Sequence, residues 1–182
     1  MRVRRLGASD VALVASIDRS EHVEVQYRVE DGRLVEAPVP ASMADIPPWD
    51  PDGSGENSVA SHTAFSASVI ARGATLFGAF DDDGELMGLA SVHPTFGPGL
   101  AWLATLHVSR AHRRRGAASA LWDACGALAC AAGARSLYVS ATPTGSAVGF
   151  YLGRGCRLAD PVHPELFADE PEDIHLVCPL DD

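Results

Sequence analysis

A mixed α/β fold is the class that this sequence predicts, and three features of the chain support it. Two pairs of apolar strands flank short glycine-containing turns, at Asp31-Gly32 and at Asp81–Gly84, which is typical of antiparallel hairpins. A helical pattern over 116–132 then links two further apolar strands. We therefore expect a mixed sheet with helices on both faces.

Length, composition and charge fit one ordinary globular domain and exclude some partners. The 182 residues suffice for one core, and 47% hydrophobic with 21% charged residues is a common composition, so we expect a single domain over 1–182. No stretch approaches the ~20 apolar residues of a membrane span, and no apolar run follows the basic N-terminus, so we expect a cytoplasmic protein with no membrane partner. The formal net charge of -10 argues against nucleic acid, whose phosphates an acidic surface repels.

The four cysteines predict neither a metal site nor a disulfide framework. They show no CxxC pair and no metal-ligand spacing with histidine, so we expect structural, reduced thiols. The aspartate run of the second turn lacks the alternating oxygen ligands of a calcium loop, because Leu86 and Met87 follow it. We therefore expect no metal.

The first third of the chain predicts a strand, a helix and a hairpin, followed by a loop. Residues 2–6 alternate as a short strand, and Ala8-Ser9-Asp10 offers an N-cap to a helix that carries Val11 and Ile17. Period-two alternation from Val23 predicts the first hairpin, and five prolines between 38 and 51 then interrupt regular structure. We interpret about 20–57 as a hairpin and proline-rich loop insertion, ordered beside a pocket.

The remainder predicts the centre of the fold. The expected elements are, in order, a helix 58–71, strands 74–80, 86–93 and 100–108, a helix 116–132, a strand 136–141, a helix 146–154, and strands 157–159 and 173–179.

The segment that carries most functional information joins strand 100–108 to helix 116–132. The first turn of a helix leaves backbone N–H groups unpaired and carries partial positive charge. Gly116, Ala117 and Ala118 let an anion approach those groups closely, and Arg113, Arg114 and Arg115 add full positive charge. By itself the segment fits a solvated arginine-rich loop equally well. It contains neither a GxxxxGK[ST] loop nor a GxGxxG after the first strand, which disfavours nucleoside triphosphates and dinucleotides.

The turn from Arg113 to Ala118 resembles the [QR]-x-x-G-x-[GA] motif of the GCN5-related N-acetyltransferase (GNAT) superfamily. The resemblance implies a mostly antiparallel, twisted sheet of about six to seven strands, splayed after the fourth core strand. It implies that the turn binds the pyrophosphate of acyl-CoA, most simply acetyl-CoA. It also places Leu106 and Val108 beside the cofactor, with a backbone N–H near Val108 bonding the thioester carbonyl, a type of contact worth ~3–4 kcal/mol in the transition state.

A second segment resembles the same superfamily. Ala147 to Cys156 is similar to the pattern A-x-x-[LF]-Y-x-x-x-G-[FYC], in which the tyrosine protonates the departing CoA thiolate. The resemblance gives that role to Tyr151 and places Ala147 at the cofactor. Thr144 stands where the family often has asparagine, and its hydroxyl is a further candidate contact. A buried aromatic without a catalytic role is the alternative for Tyr151.

The residue that removes the proton from an acceptor amine is not evident. Many superfamily members carry a glutamate on the strand before the motif, but residues 101–107 contain no carboxylate. His107 is a candidate, since an ordinary histidine accepts protons near neutral pH, although alternation turns it away from Leu106 and Val108. Weaker candidates and a water chain remain open; the candidates are His62, His93, Glu21, Glu24 and Glu56.

The resemblance predicts an N-acetyltransferase that acetylates a primary amine of a small molecule by direct attack in a ternary complex. Residues 20–57 are acidic and suit a cationic acceptor, and the acidic stretch 165–173 borders either the acceptor or a dimer partner. A protein or peptide amine, or a non-catalytic acyl-CoA-binding module, are the alternatives. The chain is expected to be a monomer or a homodimer.

Overall fold

Eleven strands and four α-helices are formed within residues 1–180, which the computed structural model describes. The strands are β1 (Arg2–Leu6), β2 (Glu21–His22), β3 (Gln26–Glu30), β4 (Arg33–Ala37), β5 (Asp45–Ile46), β6 (Thr75–Phe80), β7 (Leu86–Gly97), β8 (Leu100–Val108), β9 (Ser136–Ala141), β10 (Arg157–Leu158) and β11 (Ile174–Pro179). The helices are α1 (Val59–Ala71), α2 (Ala117–Ala131), α3 (Gly145–Leu152) and α4 (Pro164–Asp169). Short 3-10 helices cover Ala8–Ser16, Ala41–Met43 and Arg110–His112.

Seven of these strands form one sheet in the order β1-β6-β7-β8-β9-β11-β10. Every neighbouring pair is antiparallel except β8 and β9, which are parallel and linked by α2. β2–β5 and β3–β4 form separate two-stranded sheets. The prediction of a mixed, mostly antiparallel sheet with helices is therefore confirmed.

Helices cover both faces of the sheet, and a bulge in β8 decides which side chains meet them. Ser91 pairs with Thr105 and Val92 with Leu103, so Ala104 has no partner on β7. One extra residue shifts the alternation, because side chains along a strand point to opposite faces in turn. Leu103 and then Leu106 thus pack toward α2 in the main core, whereas Thr105 turns to the opposite face.

The hairpin of β3 and β4 packs against the main core beside the start of α3. Tyr27 contacts that core, and its N–H donates to the carbonyl of Pro143 at 2.9 Å. The N–H of Gly145 donates to the carbonyl of Val25 at 2.7 Å, and a Cβ at Gly145 would lie only 2.9 Å from the Val25 Cβ. Glycine is therefore required where the insertion meets the helix.

Two local predictions need correction. The first helix is a 3-10 helix that begins after Gly7, and the Asp10 carboxylate accepts the Gly7 N–H at 2.8 Å instead of capping a helix that starts later. The helix α4 lies where no helix was expected, since Pro164 occupies a first-turn position that tolerates a missing N–H. Six residues are too few for helical periodicity to reveal it.

The expectation of four reduced cysteines is wrong for two of them. Arg157 pairs with Val177 across β10 and β11, which brings the preceding and following residues together, and Cys156 and Cys178 form a disulfide. Cys125 remains a thiol in the core, and burial raises its pKa to about 12. Sequence spacing gave no sign of the bond because the two cysteines are 22 residues apart and meet only through strand pairing.

No helix within residues 1–180 is long and apolar enough to cross a membrane.

Candidate functional site

A gap opens in the sheet where β8 and β9 separate. Their parallel pairing covers only Leu100–Leu103 with Ser136–Val139, so the second half of β8 has no partner on that edge. The Ser109 N–H donates to the Met87 carbonyl at 2.9 Å and so points toward β7. Because N–H direction alternates along a strand, the amides of Val108 and Leu106 point the other way, into the gap.

The turn that follows β8 presents backbone amides to solvent. Arg114 has φ 59° and Gly116 has φ 87°, both in the left-handed region. Left-handed residues in a short turn direct successive N–H groups toward one side and form an anion-binding nest. Such a conformation is uncommon for arginine and costs ~1–3 kcal/mol, so the surrounding structure imposes it. Arg114, Arg115 and Gly116 are all exposed, and nothing in the described chain covers the turn.

The helix α2 begins directly after this turn and adds its own free amides. Gly116 is its N-cap and offers no side chain to bond them. The first amides of a helix have no intrahelical acceptor, and the helix dipole makes this end positive. We call residues 113–118 the cradle. Its backbone geometry and small side chains at Gly116, Ala117 and Ala118 fit a bound diphosphate.

The three arginines of the cradle have different surroundings. Arg113 turns inward: its guanidinium donates to the Val108 carbonyl at 3.2 Å, the Arg19 carbonyl at 2.8 Å and the Glu21 carboxylate at 3.3 Å. Arg113 thus fastens residues 19–21 to the end of β8. Arg115 is exposed and donates to the His112 ring at 3.1 Å, and Arg114 is exposed beside it. Only Arg114 and Arg115 leave their charge free to face an anion.

Helix α3 positions the second group of predicted residues. Thr144 is its N-cap: the residue is only 2% exposed, and its hydroxyl accepts the Ala147 N–H at 3.3 Å. That hydroxyl is engaged within the protein rather than presented at a surface. Ala147 lies half-buried in the first turn.

Tyr151 lies within the main core. It is 7% exposed and packs beside the rings of Trp122 and Phe150. Burial raises the pKa of its hydroxyl, and the nearby Cys125 and Asp173 raise it further. The phenol is therefore protonated at neutral pH, as a proton donor must be.

His107 lies on the opposite face of β8 from Leu106 and Val108, as alternation predicts. Its ring meets Trp49 edge-on at 5.0 Å, and Trp49 stacks on His62 at 4.4 Å. The three rings line a cavity of about 10 Å³ beneath the sheet. Burial, then the charges of His62, Arg19 and Arg113, lower the pKa of His107 to about 3. A ring that resists protonation so strongly is a weak base, and this geometry does not favour it as the acceptor of a substrate proton.

The other candidate bases are dispersed. Glu21 is paired with Arg113, and the His93 ring bonds the Arg72 carbonyl at 2.7 Å. Glu24 and Glu56 are exposed in the insertion. Burial lowers the pKa of His62. Within residues 1–180 no group of three or more His, Cys, Asp or Glu side chains could hold a metal ion.

Sequence reasoning missed a carboxylate near Tyr151. Asp173 directly precedes β11, and burial, then the charge of Glu170, raises its pKa to about 7. In the sequence it was only the end of an acidic stretch. One signal was available in the sequence. A residue that directly precedes the last strand lies beside the end of the strand with which that last strand pairs, and this partner is β9.

Comparison with known families identifies the chain. The model described as "Acetyltransferase (GNAT) family" matches residues 43–155, more than half of the sequence. The chain therefore belongs to the GNAT acetyltransferase family, and the predicted family and N-acetyltransferase class are confirmed. No curated protein matches it.

Solved structures share the whole architecture. A nourseothricin acetyltransferase is 20% identical, with a TM-score of 0.72 over 99% of this chain and 98% of that chain. A protein described as a streptothricin acetyltransferase from Bacillus anthracis str. Ames, in complex with acetyl coenzyme A, is 12% identical with a TM-score of 0.71 over 99% and 98% of the two chains. The PaiA N-acetyltransferase from Thermoplasma acidophilum, in complex with coenzyme A, is 12% identical with a TM-score of 0.60 over 98% of each chain. At these identities the likeness shows a common fold.

Proposed function

We propose that this chain transfers an acetyl group from acetyl-CoA to a primary amine of a small molecule, by direct attack in a ternary complex. The observation that carries the proposal is the exposed cradle at the head of α2, which opens beside the gap between β8 and β9. Free amides, a helix N-terminus and the two exposed guanidinium groups of Arg114 and Arg115 can bind a diphosphate. The adjoining gap can hold the extended arm of acetyl-CoA, which would end beside the amides of Leu106 and Val108.

The residues in the gap have separate roles in this proposal. Bound acetyl-CoA supplies an activated acyl group as a thioester. The amides of Val108 and Leu106 donate toward the acyl oxygen and stabilise the charge that develops there. Tyr151 gives its hydroxyl proton to the sulfur that leaves, and its raised pKa keeps that proton on the phenol until the thiolate forms. Cys125 does not serve as an acyl carrier, because it is fully buried and its pKa is near 12.

The acceptor is proposed from surface charge and from likeness. The exposed insertion carries several carboxylates, which suit a cationic amine; these are Glu24, Asp45, Asp50, Asp52 and Glu56. Two structures that match 99% of this chain with TM-scores above 0.7 are described as acetyltransferases of small molecules, nourseothricin and streptothricin. We therefore propose a cationic small-molecule amine, with streptothricin-type compounds as the first to test. Single-domain organisation over 1–182, with its insertion at about 20–57, and a cytoplasmic location remain predictions.

Calorimetry and thiol release test this function. CoA titrated into the protein should bind in the micromolar range with one site, and acetyl-CoA should yield free thiol when a small amine is present. A panel should contain streptothricin-type amines, simple diamines and lysine-containing peptides. Turnover confined to peptides would replace the proposed acceptor class, and CoA binding without turnover on any amine would indicate a binding module.

A further inference from the structure

Glu170 and Asp173 lie at the wide end of the gap. The strand β11 begins at Ile174, which pairs with Ala141, the last residue of β9. The strand β9 has lost its partner β8 after Val139, so its last residues border the opening. Asp173, one residue before β11, is therefore held by the strand register beside the end of β9. The Asp173 N–H donates to the Glu170 carbonyl at 3.2 Å, which closes a tight turn between the two residues.

Tyr151 approaches the same place from α3. It belongs to the apolar cluster that contains Ala141 and Ile174, and the Asp173 carboxylate is close enough to raise the pKa of its phenol. Tyr151 is 7% exposed, and its hydroxyl makes no hydrogen bond within residues 1–180. That hydroxyl is not among the fully enclosed polar atoms that lack a partner, so it is open to a group from outside the chain.

The loop that carries Glu170 is fixed in place. The Ser140 hydroxyl on β9 lies 3.4 Å from Nδ1 of the His175 ring. The His175 ring on β11 bonds the Glu170 backbone carbonyl at 2.9 Å. These contacts hold Glu170 close to Asp173, and the charge of Glu170 disfavours ionisation of Asp173.

We propose that Asp173 accepts the proton of the acceptor amine, and that Glu170 holds the ammonium group before the proton leaves. This inference rests on the proposed function. Asp173 takes one proton from the ammonium, which leaves a nitrogen lone pair. The nitrogen–carbon bond to the acyl group forms, the carbon–sulfur bond breaks, and the sulfur receives the Tyr151 hydroxyl proton. The second proton of the nitrogen returns to Tyr151 through Asp173, which releases its first proton to solvent.

Asp173 and the titratable groups around it determine the behaviour of this site with pH. Glu170 faces Asp173 from the same loop and Tyr151 faces it from α3, with Cys125 of α2 behind the phenol. Asp173 titrates near pH 7, so its carboxylate is available as a base above that pH. Activity should therefore fall as the pH decreases through about 7.

Asp173→Asn tests the base, and Glu170→Gln is its matched control. Asp173→Asn keeps the shape of the side chain but accepts no proton, so kcat should fall about 100-fold or more, with KM little changed. The acid limb of its pH profile should disappear. Glu170→Gln should raise KM about tenfold and move the acid limb to lower pH, because the charge that opposes ionisation of Asp173 is gone. Asp173→Glu should restore part of kcat together with the limb.

A second measurement does not depend on turnover. Carbon-13 NMR of aspartate-labelled protein without substrate should show one carboxyl group titrating near pH 7, absent in Asp173→Asn. The inference would be overturned if that carboxyl group titrated near the ordinary pKa of aspartate. It would also be overturned if the Asp173→Asn enzyme kept a kcat within threefold of normal and retained the acid limb of its pH profile. Calorimetry with CoA separates failure of this inference from failure of the proposed function. If the unmodified protein and Asp173→Asn bind CoA equally, the proposed function stands. If the unmodified protein does not bind CoA, the inference and the proposed function are both overturned.

Discussion

The cradle and the wide end of the gap differ in how the chain builds them. The cradle is continuous in sequence, residues 113–118, and it uses backbone amides held by two left-handed residues. The wide end of the gap is assembled from α3 and from the loop before β11, and it uses the side chains of Tyr151, Glu170 and Asp173. One is a surface turn, and the other combines the buried Tyr151 with the half-buried Asp173 and the exposed Glu170.

This difference teaches where each part of the activity is encoded. Free amides at a helix N-terminus bind phosphate whatever the acceptor is, so a short segment suffices for the cofactor. Acid and base roles need side chains whose pKa values are separated by their surroundings, which requires burial and neighbours from distant segments. Substitutions in the cradle should therefore change affinity for CoA, and substitutions at the wide end of the gap should change turnover.

Tyr151→Phe should give the largest effect outside the Asp173 variants. Loss of the hydroxyl leaves the departing sulfur without a proton donor, so kcat should fall about 100-fold while CoA affinity in calorimetry stays within threefold. Tyr138→Phe is the control, because it removes another buried hydroxyl that accepts the His163 N–H at 3.0 Å. Equal kcat losses in Tyr151→Phe and Tyr138→Phe would show that the loss at Tyr151 is structural. The contrast between the cradle and the wide end of the gap would then no longer hold.

Ala118→Asp should weaken CoA binding at least tenfold. A carboxylate in the first turn of α2 repels the diphosphate, whereas it favours the helix itself through the dipole, so folding is preserved. Ala127→Asp places the same charge on the exposed face of the same helix and should leave affinity unchanged. Calorimetry with CoA decides between them. Unaltered binding by Ala118→Asp would exclude the cradle as the phosphate site.

Arg113→Ala and Arg115→Ala should separate structural from binding arginines. Loss of three hydrogen bonds at Arg113, one to a carboxylate, should lower the free energy of unfolding by ~2–3 kcal/mol. Arg115 is exposed, so its loss should change that free energy by less than ~0.5 kcal/mol but weaken CoA binding several-fold. Urea unfolding and calorimetry measure the two quantities, and the reverse pattern would contradict the assignment of the two side chains.

His107 should make the protein sensitive to acid. Its folded-state pKa of about 3 lies below the ordinary value, so the unfolded chain takes up the proton first as the pH falls through 6.5. Stability is complete above pH 6.5 and is lost progressively below it, by up to about 2 kcal/mol at pH 5. His107→Leu should remove that loss. Urea unfolding at pH 7 and pH 5 compares the two proteins, and equal losses in both would place the titrating group elsewhere.

The sequence predicted the sheet and the cradle because both depend on local order. Gly116 and the arginines before it are neighbours in the chain, and hydrophobic periodicity fixes the strands on either side. The short helix α4 and the 3-10 helix after Gly7 were missed or misplaced, since neither spans enough residues to show a period.

The roles of individual side chains depended on the tertiary structure. The sequence by itself determined a GNAT-type sheet and a turn with exposed backbone amides, because backbone conformation and amide exposure follow from adjacent residues. Only the folded chain decided that Arg113 is a structural tie, that His107 lies beneath the sheet, and that Asp173 borders Tyr151. Burial and charge from residues distant in sequence set those properties, and no pattern along the chain records them.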